Sequence, residues 1–252
     1  GAVVHDLVTE EEHYFHEGSS MRKIRDTYYY VYADMERGKP TALGYSTGKS
    51  PLGPFTYRGI VIDNDHCDPE SWNNHGSIEC VNGQWYHRCS RGTQRYRRLC
   101  AEPITINPDG TIDEVKMTSQ GVGNPFAPGE TMMGYQACEL HGKVYIGVEE
   151  QLKDSAGNCY EEKLTNLHAG DETYFRYVES AKDWTKVRLI TAGSGKVTVW
   201  MNGKIAGSIT VEGKTGITKL TEAEIGMPAG RYEVVLKVDA AEGLEIFEVT
   251  VE

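Results

Sequence analysis

The strongest constraint on this chain is the character of its apolar runs. They are short, they alternate with polar residues, and they stop at turn pairs. "TYYYVYAD" (27–34), "HGSIECVNGQWYHRCS" (75–90), "KVTVWMNGK" (196–204) and "GRYEVVLKVDA" (230–240) are typical. Asn82-Gly83, Asp109-Gly110 and Asn202-Gly203 are the residue pairs that tight hairpin turns demand, because both central residues must take a positive φ. Alternation of this kind suits a sheet with two distinct faces. The helical period is nowhere sustained. The 28 glycines, and 15 tyrosines against 5 phenylalanines, fit turn-rich β structure. The chain is therefore expected to be all-β.

Two textures divide it. The first part repeats an aromatic strand, a glycine turn and another strand, at a spacing that suits a propeller or a sandwich. Near "GVGNPFAPGE" (121–130), prolines and glycines crowd into a link. Beyond it the strands are more regular and point to a β-sandwich. The expected boundaries are 1–128 and 129–252. A formal net charge of −11 repels phosphate backbones, so nucleic acid is not an expected partner, whereas neutral sugars are unaffected. No apolar run reaches the roughly 20 residues of a membrane span. "GAVVHD" has neither the basic nor the apolar region of a signal peptide. The cysteines Cys67, Cys80, Cys89, Cys100, Cys138 and Cys159 include no CxxC pair and have no zinc-site spacing. Buried thiols or disulfides both fit, and connectivity is not readable from spacing.

Within "HYFHEGSSMRK" (13–23), Glu17 stands between aromatics and small residues. Tyr14 and Phe15 offer the apolar wall that keeps a carboxyl protonated, and Gly18 with Ser19 and Ser20 leaves room for a ligand to approach. On those residues alone, a turn glutamate at a strand edge is a better reading than a catalytic acid. More words follow in order: "KSPLGPFTYRG" from 49, "WNNHGSIE" from 72, "NGQWYHR" from 82 and "CAEPI" from 100. Taken with "EGSSMRK" from 17, this order and spacing resembles family 43 glycoside hydrolases, five-bladed β-propellers that act on xylan and arabinoxylan. The resemblance covers roughly residues 7 to 121.

The resemblance implies an inverting glycosidase of the β-xylosidase or α-L-arabinofuranosidase type, with Glu17 as its general acid. It implies that His75 lies on the propeller axis and holds a metal, usually calcium, largely through water. The alternative is a buried histidine bonded to a backbone carbonyl. Phe15, Trp72 and Arg97 are the candidates for the sugar subsite. Packing between blades is the better reading of Trp72, and Arg97 equally suits a surface cation or an ion pair. The family's base and its tuning aspartate lie upstream of the acid, but only sixteen residues precede Glu17 here. His5, Asp6 and Glu10-Glu11-Glu12 are expected on the same strand and loop as Glu17, too near to face it across a pocket. The chain thus resembles the C-terminal part of the catalytic domain. In a further departure, Tyr86 runs straight into His87 where relatives carry an apolar stretch, so that strand is short.

Residues 130 to 252 resemble, more loosely, the jelly-roll sandwich of family 6 carbohydrate-binding modules. "YQACELHGKVYI", "LHAGDETYFRYVES" and "KVTVWMNGKIAGSITV" carry the likeness. Such modules grip a sugar between two aromatics. Glu172 and the "KTGITKL" loop (214–220) stand in those places, so the usual stacking platform is expected to be lost. Tyr174, Tyr177 and Trp184 read as core or edge aromatics. These readings imply a bacterial extracellular or cell-surface hydrolase that meets plant cell-wall polysaccharide, with no organic cofactor. A non-catalytic carbohydrate-binding or scaffold protein derived from such an enzyme is the alternative.

Overall fold

The structure is a computed structural model. It describes residues 6–67, 74–91, 98–148 and 162–252, with the backbone alone at 85–91, 98 and 148. Two compact units divide it: Gly1–Asp65 with Glu70–Met117, and His66–Pro69 with Thr118–Glu252.

The first unit holds two antiparallel sheets. β1 (Phe15–Ile24), β2 (Thr27–Asp34), β3 (Ala42–Gly48) and β4 (Phe55–Asp63) run in chain order as a four-stranded meander, the form of a propeller blade. β2 is buried on both faces over its second half, and β3 is buried throughout. β3 fits there because Ala42, Gly44, Ser46 and Gly48 are small enough for both faces to be covered. A second sheet joins β5 (Gly76–Val81), β6 (Gln84–Arg91) and β7 (Arg98–Pro103) in that order. Asn82 and Gly83 turn β5 into β6 with φ of 51° and 82°, as their identities predict. Asp109-Gly110 also turns the chain, with Asn107 N–H bonded to the Thr111 carbonyl at 2.8 Å. Its flanks, however, make only the single bridge Ile106↔Ile112 rather than paired strands. The acidic run departs from expectation: Glu10–His13 is a short helix, α1, not strand or loop. Thr9 caps it, its hydroxyl accepting from the Glu12 N–H at 3.2 Å, and acidic residues favour a helix start.

The second unit is a β-sandwich. Its strands are β8 (Thr131–Met133), β9 (Glu139–His141), β10 (Tyr145–Val148), β11 (Glu162–Thr165), β12 (Glu172–Ser180), β13 (Trp184–Met201), β14 (Lys204–Val211), β15 (Lys219–Met227) and β16 (Gly230–Val251). β13 and β16 are long because each serves both layers. The later part of β13, Gly195–Met201, pairs β14 and the early part of β16. That early part of β16 also pairs β12, which pairs β9. The earlier part of β13 pairs β15 and the end of β16, which in turn holds β8. Irregular register between Ala192 and Ser194 marks the corner. A Cβ on Gly193 would stand 2.0 Å from the Gly243 carbonyl oxygen, so only glycine lets the two strands approach there. Val187, Leu189, Val197, Val199, Leu236, Ile246 and Trp184 fill the core. Asn202 and Gly203 turn β13 into β14 with φ of 45° and 75°.

Candidate active site

Glu17 sits near the start of β1, opposite Ala33 of β2, between two register irregularities that twist the strand locally. Its Oε1 lies 3.1 Å from Nε2 of His75, the residue just before β5. The structure therefore brings the expected acid and the expected metal histidine together, although 58 positions separate them in the chain. Both side chains remain partly open to solvent, 43% for Glu17 and 36% for His75. Gly18 has a different role from the one its size suggested. It takes φ +64°, and a Cβ on it would stand 2.5 Å from His75 Cδ2. The missing side chain thus makes room for the imidazole rather than for a ligand.

More contacts tie the same two strands. Ser20 Oγ donates to the Gly76 carbonyl at 3.3 Å. Arg22 pairs with Glu79, which also accepts from Ser77 Oγ at 3.1 Å. Ser19 Oγ meets the Tyr30 hydroxyl at 2.9 Å. The Ser20–Gly76 and Arg22–Glu79 contacts lace β1 of one sheet to β5 of the other and hold Glu17 beside His75.

The aromatic wall is arranged differently from expectation. Tyr14 packs edge-on against Tyr57, with centroids 5.0 Å apart, and Phe15 against Tyr32 at 5.3 Å. Both rings belong to a tyrosine-rich cluster on the four-stranded sheet. Trp72 and Arg97, the other subsite candidates, lie outside the described residues. Around His75 the metal-ligand set is thin. Among the described residues, no three His, Cys, Asp or Glu side chains gather to hold a metal. Calcium takes roughly six to eight oxygen ligands. His75 and Glu17 alone do not make that shell.

One acid here escaped the sequence reading. Asp34, at the end of β2, is fully buried. Its Oδ1 accepts the Glu36 N–H at 2.7 Å, while Oδ2 and the nearby Tyr57 hydroxyl are both buried without a hydrogen bond of normal geometry. Burial pushes the Asp34 carboxyl up to about 6, against a smaller pull downward from the Glu36 N–H and from Tyr57. Tyr57 is pushed up as well, by burial and then by the charge of Asp34. Gly44 makes the arrangement fit, since a Cβ there would stand 1.8 Å from Asp34 Oδ2. The phase of "TYYYVYAD" gave no signal for it, because both faces of β2 are buried from Val31 to Asp34.

In the sandwich, Glu172, at one of the two places where the likeness puts a stacking aromatic, lies in a network of ion pairs. Glu172 accepts from Lys237 Nζ at 2.8 Å and from the Tyr174 hydroxyl at 2.7 Å, and those bonds lower its pKa. Beside it, buried Arg176 bridges Glu139 and Glu233. Burial works to raise Glu139, but hydrogen bonds from His141 and Arg176 outweigh it and leave the group lowered. Tyr174 lies in this ion-paired surface, and the guanidinium of Arg231 covers Tyr177 at 4.2 Å from the ring centroid. Trp184 is core, 1% exposed. In the "KTGITKL" loop the large apolar side chains are exposed Ile217 and Leu220.

No protein-family model matches the chain. Curated relatives do. A xylosidase/arabinosidase from Thermoclostridium stercorarium is 32% identical over an alignment 255 positions long that covers 87% of this chain and 52% of that protein. An arabinoxylan arabinofuranohydrolase from Paenibacillus polymyxa is 25% identical over 248 residues, 88% of this chain and 38% of the relative. Among solved structures, a glycoside hydrolase family 43 arabinoxylan arabinofuranohydrolase from Bacillus subtilis, in complex with cellotetraose, superposes with a TM-score of 0.51 at 22% identity. That match covers 94% of this chain and 54% of the other, and it shows a shared fold. The chain thus spans about half the length, or less, of the curated relatives it matches.

Proposed function

We propose that the first unit carries the general acid of an inverting glycosidase, with Glu17 in that role, a reading supported by the chain's similarity to a xylosidase/arabinosidase and to arabinoxylan arabinofuranohydrolases. The observation that carries this reading is the pairing of Glu17 with His75 across two sheets. A solvent-open carboxyl, held by its neighbours at the start of a strand, can reach a glycosidic oxygen. In this reading the Glu17 carboxyl gives its proton to that oxygen as the C–O bond breaks. A water attacks the anomeric carbon from the opposite face, and its proton passes to a carboxylate about 6.5–9.5 Å from the acid, so the anomeric configuration inverts. Glu10, Glu11 and Glu12 sit on α1 immediately ahead of β1 and do not suit that second role. The base is read as coming from blades outside these 252 residues. The substrates are xylan or arabinoxylan ends and side chains, met outside the cell, where such polymers are found. A non-catalytic scaffold or sugar-binding role is the second reading, favoured because no second carboxylate gathers with Glu17 and His75 among the described residues.

The test uses aryl and alkyl xylosides and arabinofuranosides. The 252-residue chain alone should show no significant turnover. Fused behind the aspartate-bearing first blades of a relative, it should hydrolyse them. In that fusion Glu17→Gln should lower rates on alkyl glycosides by about 10²–10⁴-fold, with much smaller losses on activated aryl glycosides, which need little protonation. Equal, small losses on both would remove Glu17 from the role. Turnover by the chain alone, abolished by Glu17→Gln, would place a base inside it.

A further inference from the structure

Cys89 lies on β6 and Cys100 on β7, and the sheet register sets them directly opposite each other. The type of pairing follows from the turn. Val81 and Gln84 flank the tight Asn82-Gly83 turn as a hydrogen-bonded pair, and pair types alternate along the ladder from there. Counting back, Gly76↔Cys89 is a non-hydrogen-bonded pair, so the amide and carbonyl of Cys89 turn away from β5 and toward β7. Cys89↔Cys100 is thereby a hydrogen-bonded pair. Such pairs have Cα atoms roughly 5.5 Å apart. Disulfides span roughly 4.4–6.8 Å between Cα atoms. Directly opposite residues also share a face of the sheet.

The other described cysteines are placed differently. Cys80 is exposed and stands opposite Trp85. In the second unit, Cys67 Sγ donates to the Cys138 carbonyl and Cys138 Sγ to the Tyr174 carbonyl. Among the described strands, Cys89 and Cys100 are the cysteines that the register pairs. Cys100 is partly exposed, which lets a small oxidant reach it.

We propose that Cys89 and Cys100 are a redox-active cross-strand dithiol that low-molecular-weight disulfides oxidise to an intramolecular disulfide. This inference does not depend on the glycosidase reading. In the reaction, the Cys100 thiolate attacks one sulfur of oxidised glutathione and expels a glutathione thiolate. The Cys89 thiolate then attacks the Cys100 sulfur and expels the second. Each protein disulfide formed reduces one oxidised glutathione to two thiols, which take up the two protons that the cysteines lose. The bond lies in the row Gly76–Cys89–Cys100, next to His75 in the chain. Its formation pins β7 to β6, and through β6 fixes the strand that follows His75.

The test is a thiol map of the whole chain. Protein equilibrated with oxidised and reduced glutathione is alkylated, digested with trypsin and analysed by mass spectrometry. Trypsin cuts after Arg88, Arg91, Arg98 and Lys116, so it separates 89–91 from 99–116. The expected product is these two peptides joined, two hydrogens lighter than their sum, and parted by reductant. Exposed Cys80 should carry glutathione instead. In Cys89→Ser, the Cys100 peptide should accumulate as its glutathione adduct, well above the wild-type level. Wild-type protein that shows both cysteines alkylated, or the same adduct level at Cys100 as Cys89→Ser, overturns the proposal. So does Cys100 linked to any other cysteine. The wild-type map alone decides the matter even where the variant does not fold.

Discussion

Asp34 allows a quantitative test of how the first unit is held together. Its carboxyl is raised from 3.8 to about 6 by burial over Gly44 and beside Tyr57. The folded state therefore binds a proton that the unfolded chain has released between those two values. The stabilising contribution of the protonated form is fully present below about pH 3.8 and is lost as pH rises through about 6. At about 1.4 kcal/mol per unit, a shift of about 2.2 units amounts to about 3 kcal/mol, an upper figure for the burden of the ionised carboxylate at neutral pH. Asp34→Asn removes the charge and keeps an oxygen to accept the Glu36 N–H. Its amide nitrogen then faces the Tyr57 hydroxyl, which can accept. Urea unfolding of both proteins between pH 4 and pH 8 should show near-equal stability at the acid end. The variant should gain with rising pH, by up to about 3 kcal/mol at pH 7. A difference between the two that does not change with pH would refute this account of Asp34.

Gly18→Ala should lower stability by about 1–3 kcal/mol, because the new methyl collides with His75 on top of the left-handed strain. Gly38→Ala, with φ +76° and open space where its Cβ would go, should lose less. Equal shifts in urea midpoint would remove the packing argument. Titration calorimetry of the chain with xylohexaose should show weak or no binding at the 214–220 loop. Micromolar affinity abolished by mutation within that loop would mean that another contact replaces the missing rings.

The sequence was most informative where one physical demand determines the residue. Asn82-Gly83 and Asn202-Gly203 announced their turns because few residues tolerate positive φ twice in succession. The sandwich followed from alternation with one buried face, while Trp184, which the sequence left as core or edge, lies in the core. The reading was weaker where burial is two-sided. β3 is buried throughout by small residues, and β2 carries a buried carboxylate at Asp34, so alternation no longer separates inside from outside. Long-range pairings were hidden for a different reason. Nothing in "EGSS" specifies that the missing Cβ of Gly18 is filled by an imidazole 57 residues later, since that space exists only once β1 and β5 are laced together. Asp109-Gly110 shows the opposite error, a sound turn signal whose flanks form a single bridge.

β13 and β16 each continue from one layer of the sandwich into the other, and this gives the module a check on its own alignment. In a sandwich of separate strands, one ladder can slide by a residue and expose its apolar side while the facing ladder stays in place. Here a slide of Val197–Met201 against Val234–Val238 must be matched by one of Val187–Ile190 against Glu248–Val251, or be absorbed at the corner where Gly193 meets Gly243. That corner has no slack, because the two backbones already touch where a side chain would be. A misaligned pairing is therefore penalised in both layers at once, and the glycine crossing acts as the pin that keeps them in phase.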